Sequence, residues 1–272
     1  LKLNTIKLLI WVGFTETTSQ YATTIKHTLM KYCRYVDADM VKGYPTIIKE
    51  LARLNNITES IPTILKYIEN PDVIFKEMIE YYGDEVDEGD CKDMFNIMIY
   101  GGTHGRWVKD ITKPSKEAID KGVLPRKLKT TVPRPYEEEF KYECSMIQTL
   151  IMNANPAIRK RLITLKPEYK KLQTWEMKNK ITSYFLQIIE NDALFYAFKY
   201  LIQEKIMDKV KTSLEKDGLC FIPLRDFDDE EITKGLNDFT LNKTGFHIKW
   251  KFKQYKDENI LQELIDKRND MI

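Results

Sequence analysis

The stretch "YVDADMVKGYPTIIKELARL", Tyr35 to Leu54, sets two acids, Asp37 and Asp39, at the end of a short apolar run and ahead of a helical pattern. Tyr44 to Leu54 carries apolar residues at helical intervals, and Pro45 is tolerated because a first-turn residue needs no hydrogen-bonded N–H. A strand that ends in carboxylates, followed by a turn and a helix, leaves charge at a sheet edge. That charge is costly unless something uses it. Two readings stand for these acids: surface decoration, or ligands for a cation.

The bulk composition frames the choice. The chain has 272 residues, 43% of them hydrophobic and 31% charged, enough for one large or two small domains with a real core and without a disordered signature. Its 43 basic side chains nearly cancel 41 acidic ones, leaving a formal charge of +2. Binding to an acidic polymer must then come from segregated rather than excess charge. No apolar run approaches the ~18 residues of a membrane span, and "TIKLLIWVGF" near the start has no cleavage pattern after it, so no membrane partner is expected. The four cysteines, Cys33, Cys91, Cys144 and Cys220, are scattered without paired spacing. They read as reduced thiols of an intracellular protein, in a host cell or a viral replication compartment. His27, His104 and His247 are equally far apart, and each reads as a surface or strand residue rather than a ligand. The first residue is Leu1, not Met, as expected of a piece of something longer.

Along the chain, "SIPTILKYIENPDVIFKEMIEYYG" predicts two short helices, one started by Ser60 and Pro62 and the other opened by Pro71. "CKDMFNIMIYGG" predicts a helix ended by Gly101 and Gly102. Residues 109–136 are basic and broken by prolines, so loop with short helices is expected. Helices resume at "EEEFKYECSMIQTLIMNANPAIRKRL" and continue in the long "NKITSYFLQIIENDALFYAFKYLIQEKI". The period then changes: "VKTSLEKDGLCFIPL" reads as strand, tight turn at Asp217-Gly218, strand. A helix with an acidic start, "DDEEITKGLNDFTLN", and an alternating strand, "FHIKWKFKQY", close the pattern. The fold class is α+β, with helical insertions around a small antiparallel sheet.

Asp217 is a second acid placed where a strand meets a turn. Carboxylates brought together from distant segments repel unless a cation lies between them. Hard cations with oxygen ligands, Mg²⁺ foremost, suit that arrangement and bring phosphate as a further ligand. Asp-Gly is equally an ordinary hairpin turn, so both readings remain open at Asp217.

Four segments in order resemble the palm and fingers of the DNA polymerase I family (family A) and the related single-subunit phage RNA polymerases. They are "DMVKGYPTIIKELA" with Asp39, "KDMFNIMIYG" from Lys92 to Tyr100-Gly101, "QIIENDALFYAFKYL" with Gln187 and Asp192, and "KDGLCFIPLRDFDDEEITKGLNDFTLNKTGFHIKWKFK" with Asp217. The resemblance covers roughly residues 20–255. Within that group the wording "YVDADMVKGYPTIIKELA", "IPTILKYIENPDVI" and "IYGG" looks most like the polymerases of virophages and large DNA transposons, often fused to a helicase.

The resemblance implies a right-hand polymerase palm with a helical fingers subdomain, divided as 1–58 (N-terminal segment and first part of the palm), 59–179 (fingers and helical insertion) and 180–272 (second part of the palm with the catalytic hairpin). It implies a template-directed DNA polymerase that uses primer–template nucleic acid and nucleoside triphosphates by two-metal in-line phosphoryl transfer. Asp39 and Asp217 would be catalytic and would hold two Mg²⁺ ions, with Mn²⁺ as a substitute. Lys92 would neutralise the triphosphate. Tyr100 would stack on a base, or else is a core tyrosine before the helix end. Tyr44, five residues after Asp39, would screen the sugar 2′ position and favour deoxynucleotides. Gln187 would read a minor-groove acceptor, or is simply the polar side of a long helix. Two departures stand out. Glu88 lies where the family has a basic residue, so either the fingers helix starts late or Arg106 or Lys26 assists Lys92, and Lys216 replaces a His before Asp217 while keeping a cation near the primer end.

Nucleic-acid contact is expected on "RKLKTT" (Arg126 to Thr131), on "RKRLITLKPEYKK" (Arg159, Lys160 and Arg161 through Lys171) and on "KWKFKQYK", where cations alternate with aromatics. Solvated helix faces explain each tract singly as well. Two other functions fit the same segments: a primase or RNA polymerase on this scaffold, and a degenerate, non-catalytic nucleic-acid-binding domain.

Overall fold

The strand at Val36–Met40 (β1) alternates buried Val36, Ala38 and Met40 with half-buried Asp37 and Asp39, so one face joins the core and the other carries both acids. The computed structural model describes residues 36–120, 122–214 and 218–254. The expected elements before residue 36 lie outside these residues. β1 sits inside a four-stranded antiparallel sheet with Met207–Leu214 (β2), Gly218–Pro223 (β3) and Trp250–Gln254 (β4), in the order β2-β3-β1-β4. Ten α-helices accompany the four strands among the described residues, and the α+β class read from the sequence holds.

After β1 the chain turns through Lys42, held in the left-handed region at φ 50° and ψ 53°, into Gly43–Leu54 (α1), with Pro45 in its first turn. Pro62–Glu69 (α2) and Pro71–Tyr82 (α3) open with proline, as the sequence predicts. The cap of α2 departs from that prediction. Ser60 belongs to a short 3-10 turn, and no side chain next to the helix start caps it. Instead Glu143, only 2% exposed, accepts the backbone N–H groups of Thr63 and Ile64, each at 2.8 Å. A carboxylate from 80 residues away satisfies the orphan donors and complements the positive helix end.

Glu88–Ile99 (α4) starts on Asp87, whose side chain and that of Asp90 cap each other's backbone N–H. Glu88 is therefore the first helical residue, where an acid is electrostatically favoured and a base is not. His104–Thr112 (α5) and Lys116–Asp120 (α6) lead to Pro135–Ala154 (α7), Pro156–Leu165 (α8) and the 30-residue Thr174–Gln203 (α9); Asp229–Thr244 (α10) lies between β3 and β4. Phe95 of α4 joins α2 and α7 at the centre of the core, with ring centroids 4.4 Å from Tyr67 and 4.7 Å from Phe140. α9 packs on both α7 and α10, and its buried residues run from Met177 to Leu201. No described helix is long and apolar enough to cross a membrane.

Three sequence expectations need correction. In the β2–β3 hairpin Leu214 pairs with Leu219 and Gly218 pairs with Asp39 of β1. Four residues, not two, thus separate the last paired positions, and Gly218 belongs to the strand. His104 is not a surface residue: it is 7% exposed, packed between Tyr82 and Trp107 at ring distances of 5.5 and 5.4 Å. Arg126, the head of one basic tract, is committed to Asp90 through two guanidinium contacts, one at 2.7 Å, which ties the 122–134 segment to the start of α4. Cys91, Cys144 and Cys220 are buried.

Candidate functional site

Directly opposed residues in an antiparallel pair share a sheet face. Asp39 is opposed by Gly218 on β3 and by Lys251 on β4, while Asp37 is opposed by Cys220 and Lys253. The acid-bearing face of β1 is thus flanked by thiol and glycine on one side and by two lysines on the other. Gly218 is required there by close approach. A Cβ at that position would lie 2.6 Å from Asp39 Oδ1 and 2.9 Å from the Ala38 carbonyl oxygen, with Asp37 Oδ1 at 3.5 Å. The missing side chain keeps the carboxylates against the hairpin backbone. Lys253 Nζ reaches diagonally to Asp39 Oδ2 at 2.7 Å.

The second group forms where α1, α4 and α9 meet. Tyr44, in the first turn of α1, donates its hydroxyl to Glu190 Oε2 on α9 at 2.8 Å. Its ring meets Tyr100 edge-on, with centroids 5.2 Å apart and planes at 71°. Tyr100 is placed by the end of α4. Gly102 N–H donates to the Ile97 carbonyl at 2.8 Å and Gly101 N–H to that of Met98 at 2.9 Å, the crossed pair that closes a helix on a left-handed residue. Gly101 supplies that conformation at φ 83°, and its carbonyl accepts from Asn179 Nδ2 of α9 at 3.2 Å. Gln148 of α7 donates to the Met98 and Ile99 carbonyls at 3.2 and 3.0 Å. Tyr100 is therefore held from three helices.

Burial pushes the Tyr44 phenol far above its ordinary range, with Tyr100 and the Glu190 charge adding to it. Burial also raises Tyr100, to about 12. Tyr44 is consequently a neutral hydrogen-bond donor at any working pH.

The other expected site residues spread around these two groups. Lys92 is exposed on α4, two turns before Tyr100. Gln187 is exposed on α9, with its amide 3.5 Å from Ser183 Oγ and one turn from Glu190. Arg159, Lys160 and Arg161 face solvent between the buried Ile158 and Leu162 of α8. Arg106 pairs with Asp110 on α5 at 3.4 Å, both exposed. Asp217, Lys216 and Lys26 lie outside the described residues.

Two partners were not anticipated from the sequence. Glu190 left a local signal, an acid within the apolar run "LQIIENDALF" of a buried helix. Lys253 could be placed on one face by strand alternation, but its pairing with Asp39, 214 residues away, could not be read.

The donor chemistry fits a hard dication in kind. Asp37 and Asp39 offer oxygen atoms on one face, and the Lys253 ammonium already stands against Asp39 as a cation. Among the described residues no group of three or more potential metal ligands is assembled, so Asp39 would need a further donor from residues beyond them.

No protein-family model matches the chain, and no curated protein matches it. Among solved structures it is similar to the POL domain of Pol1 from M. smegmatis in complex with DNA primer-template and dNTP. The two are 12% identical with a TM-score of 0.44, over 81% of this chain and 39% of that one. The chain thus spans well under half of that polymerase chain's length.

Proposed function

We propose that this chain is the palm and fingers of a template-directed nucleotidyltransferase, a DNA polymerase acting in the replication of a virus or mobile element. One arrangement carries the reading. Asp39 lies near the end of its strand, directly opposite Gly218, and five residues later Tyr44 stands against Tyr100 at the end of α4. An acid for the reacting phosphate and the first ring of an aromatic pair for the nucleoside then rise from consecutive parts of one strand–turn–helix unit, and α4 supplies the second ring.

In this reading Asp39 and Asp217, the residue bonded to Gly218, would hold two Mg²⁺ ions. When bound, such ions stabilise the attacking and departing oxygens of an in-line displacement at phosphorus. The chain's own residues do the positioning. Tyr44 is fixed at its hydroxyl by Glu190 and along its ring by Tyr100, so it forms a wall that cannot swing aside for a ribose 2′-hydroxyl. Tyr100 offers a ring to the incoming base or its template partner. Lys92 neutralises the triphosphate, and Lys216 stands near the primer end. Gln187 reads a minor-groove acceptor, while Arg159, Lys160 and Arg161 contact backbone phosphates without reading sequence. A helicase in the same full-length chain would separate the strands ahead of this domain.

Primer extension on the purified chain, with dNTPs or NTPs and with or without Mg²⁺, tests the proposal. The expected result is dNTP-dependent, Mg²⁺-dependent extension that is lost in Asp217→Asn while duplex binding survives. Preference for NTPs would favour an RNA polymerase or primase on the same scaffold. A second reading, a non-catalytic nucleic-acid-binding domain, draws on the Lys253 ion pair that occupies Asp39. Duplex binding without extension under any metal would establish it.

A further inference from the structure

Trp175 is 62% exposed in the first turn of α9. A single exposed indole needs no partner for folding, but its large flat ring is available to one. Its position says which site it adjoins. Asn179, one turn further along the same helix face, bonds the carbonyl of Gly101, the residue after Tyr100. Lys178 of the same turn reaches Ser145 Oγ of α7 at 2.9 Å. Trp175 therefore lies one helical turn before the residue that anchors the glycine-closed end of α4.

Charge identifies the class of occupant. Between Arg159 and Lys180 the chain has eight lysines and arginines against two acids, Glu168 and Glu176, although the whole molecule is nearly neutral. Arg159, Lys160 and Arg161 are exposed on α8, and Lys170 and Lys171 are exposed just before α9. Tyr169 lies between them, with Lys166 and Lys180 at 5.7 and 6.0 Å from its ring. A cationic strip interleaved with rings suits a polyanion whose flat groups are free to stack. In a duplex the bases already stack on each other, so an exposed indole gains from an unpaired base.

We propose that Trp175 and the strip from Arg159 to Lys171 form a binding surface for single-stranded nucleic acid, Trp175 stacking on an unpaired base. Resting on the polymerase reading above, the strand it takes is the template that has yet to reach the Tyr44–Tyr100 pocket.

The test is equilibrium binding of the full chain to a 16-nucleotide oligo-dT and to a duplex of the same length, by anisotropy. Trp175 fluorescence, isolated as the difference between wild type and Trp175→Phe, is followed in parallel. The expected result is quenching of Trp175 on binding oligo-dT, and weakening of that binding by about 5- to 150-fold in Trp175→Ala. Duplex binding should change less than twofold. Replacing Arg159, Lys160 and Arg161 together by Ala should flatten the slope of log K against log salt by about 2, at ~0.7 per single-strand phosphate contact. Unquenched Trp175, or equal losses for single strand and duplex in Trp175→Ala, overturns the proposal. So does equal competition by anionic lipid vesicles or by an acidic polypeptide. If the wild-type chain extends no primer while Trp175→Ala still loses oligo-dT selectively, the polymerase reading falls and the single-strand surface stands. If extension is normal and oligo-dT binding is indifferent to Trp175, the reverse holds.

Discussion

Asp39→Asn separates a carboxylate kept for chemistry from one kept for folding. The side chain that Asp39 pairs with, Lys253, is half-exposed, with relative side-chain accessibilities of 50% for the lysine and 19% for the aspartate. Such a pair contributes about 0–1 kcal/mol after screening and side-chain ordering. Against that loss stands relief of repulsion, because Asp37 shares the face and both carboxylates approach Gly218. The net change in stability should lie within about 1 kcal/mol, or roughly 2–4 °C in midpoint for a body of this size. Primer extension should fall by about 10³-fold or more, some 4 kcal/mol of barrier at 1.36 kcal/mol per tenfold. Single-turnover extension and a thermal melt on the same preparation give both numbers. A loss of more than about 2 kcal/mol in stability with activity falling in proportion would make Asp39 a structural ion-pair partner. Undiminished extension at normal stability would remove it from the chemistry altogether.

Other perturbations address the neighbouring groups. Tyr44→Phe removes a donor to buried Glu190 and should cost about 1.5–3 kcal/mol, loosening sugar discrimination only partly because the ring keeps its contact with Tyr100. Tyr44→Ala should relax discrimination against ribonucleotides by about 10²-fold, read from competing incorporation; unchanged selectivity would exclude Tyr44 as the wall. Glu143→Gln should destabilise by about 2–4 kcal/mol in urea, since its amide nitrogen would face one of the two N–H groups that the carboxylate now accepts. A neutral result would mean that water caps α2 adequately. His104 is lowered below its ordinary range by burial, partly countered by Glu137 and Glu138. The unfolded chain then takes up this proton near pH 6.5 and the folded chain only at lower pH, so stability falls as pH drops below about 6.5. His104→Phe should flatten the change in melting temperature between pH 7 and 5.5, and an unaltered slope would assign it elsewhere.

What could be read ahead of the structure was local. Asp39, the turn and Pro45 lie within seven residues, and the pattern of one strand end and one helix start is complete in that window. The Gly101-Gly102 stop of α4 is equally self-contained. Cap and counter-charge from afar were not legible. Ser60 is the expected local cap, yet Glu143 does the work from another helix. Lys253 reaches Asp39 only after β4 adds to the sheet edge, and Arg126, apparently free for phosphates, is claimed by Asp90. No local pattern marks His104 as buried, and only the approach of Tyr82 and Trp107 makes it so. The hairpin turn misread its register because Asp-Gly is a strong local signal, whereas the pairing of Gly218 with β1 is not local.

The helix α9 packs on α1, α7, α8, α10 and the strands β2 and β3. Asn179 meets the end of α4, Glu190 holds Tyr44, and the C-terminal half packs on α10. At ~1.5 Å per residue its 30 residues form a rod of about 45 Å. One residue inserted between Asn179 and Glu190 would turn every later side chain by about 100° relative to the earlier ones, so that the pocket wall and the α4 anchor could not both be met. Length variation among descendants of this chain should therefore collect in the segment between α5 and α7, whose loops can lengthen, and spare this rod, which keeps distant contacts in phase as a camshaft does.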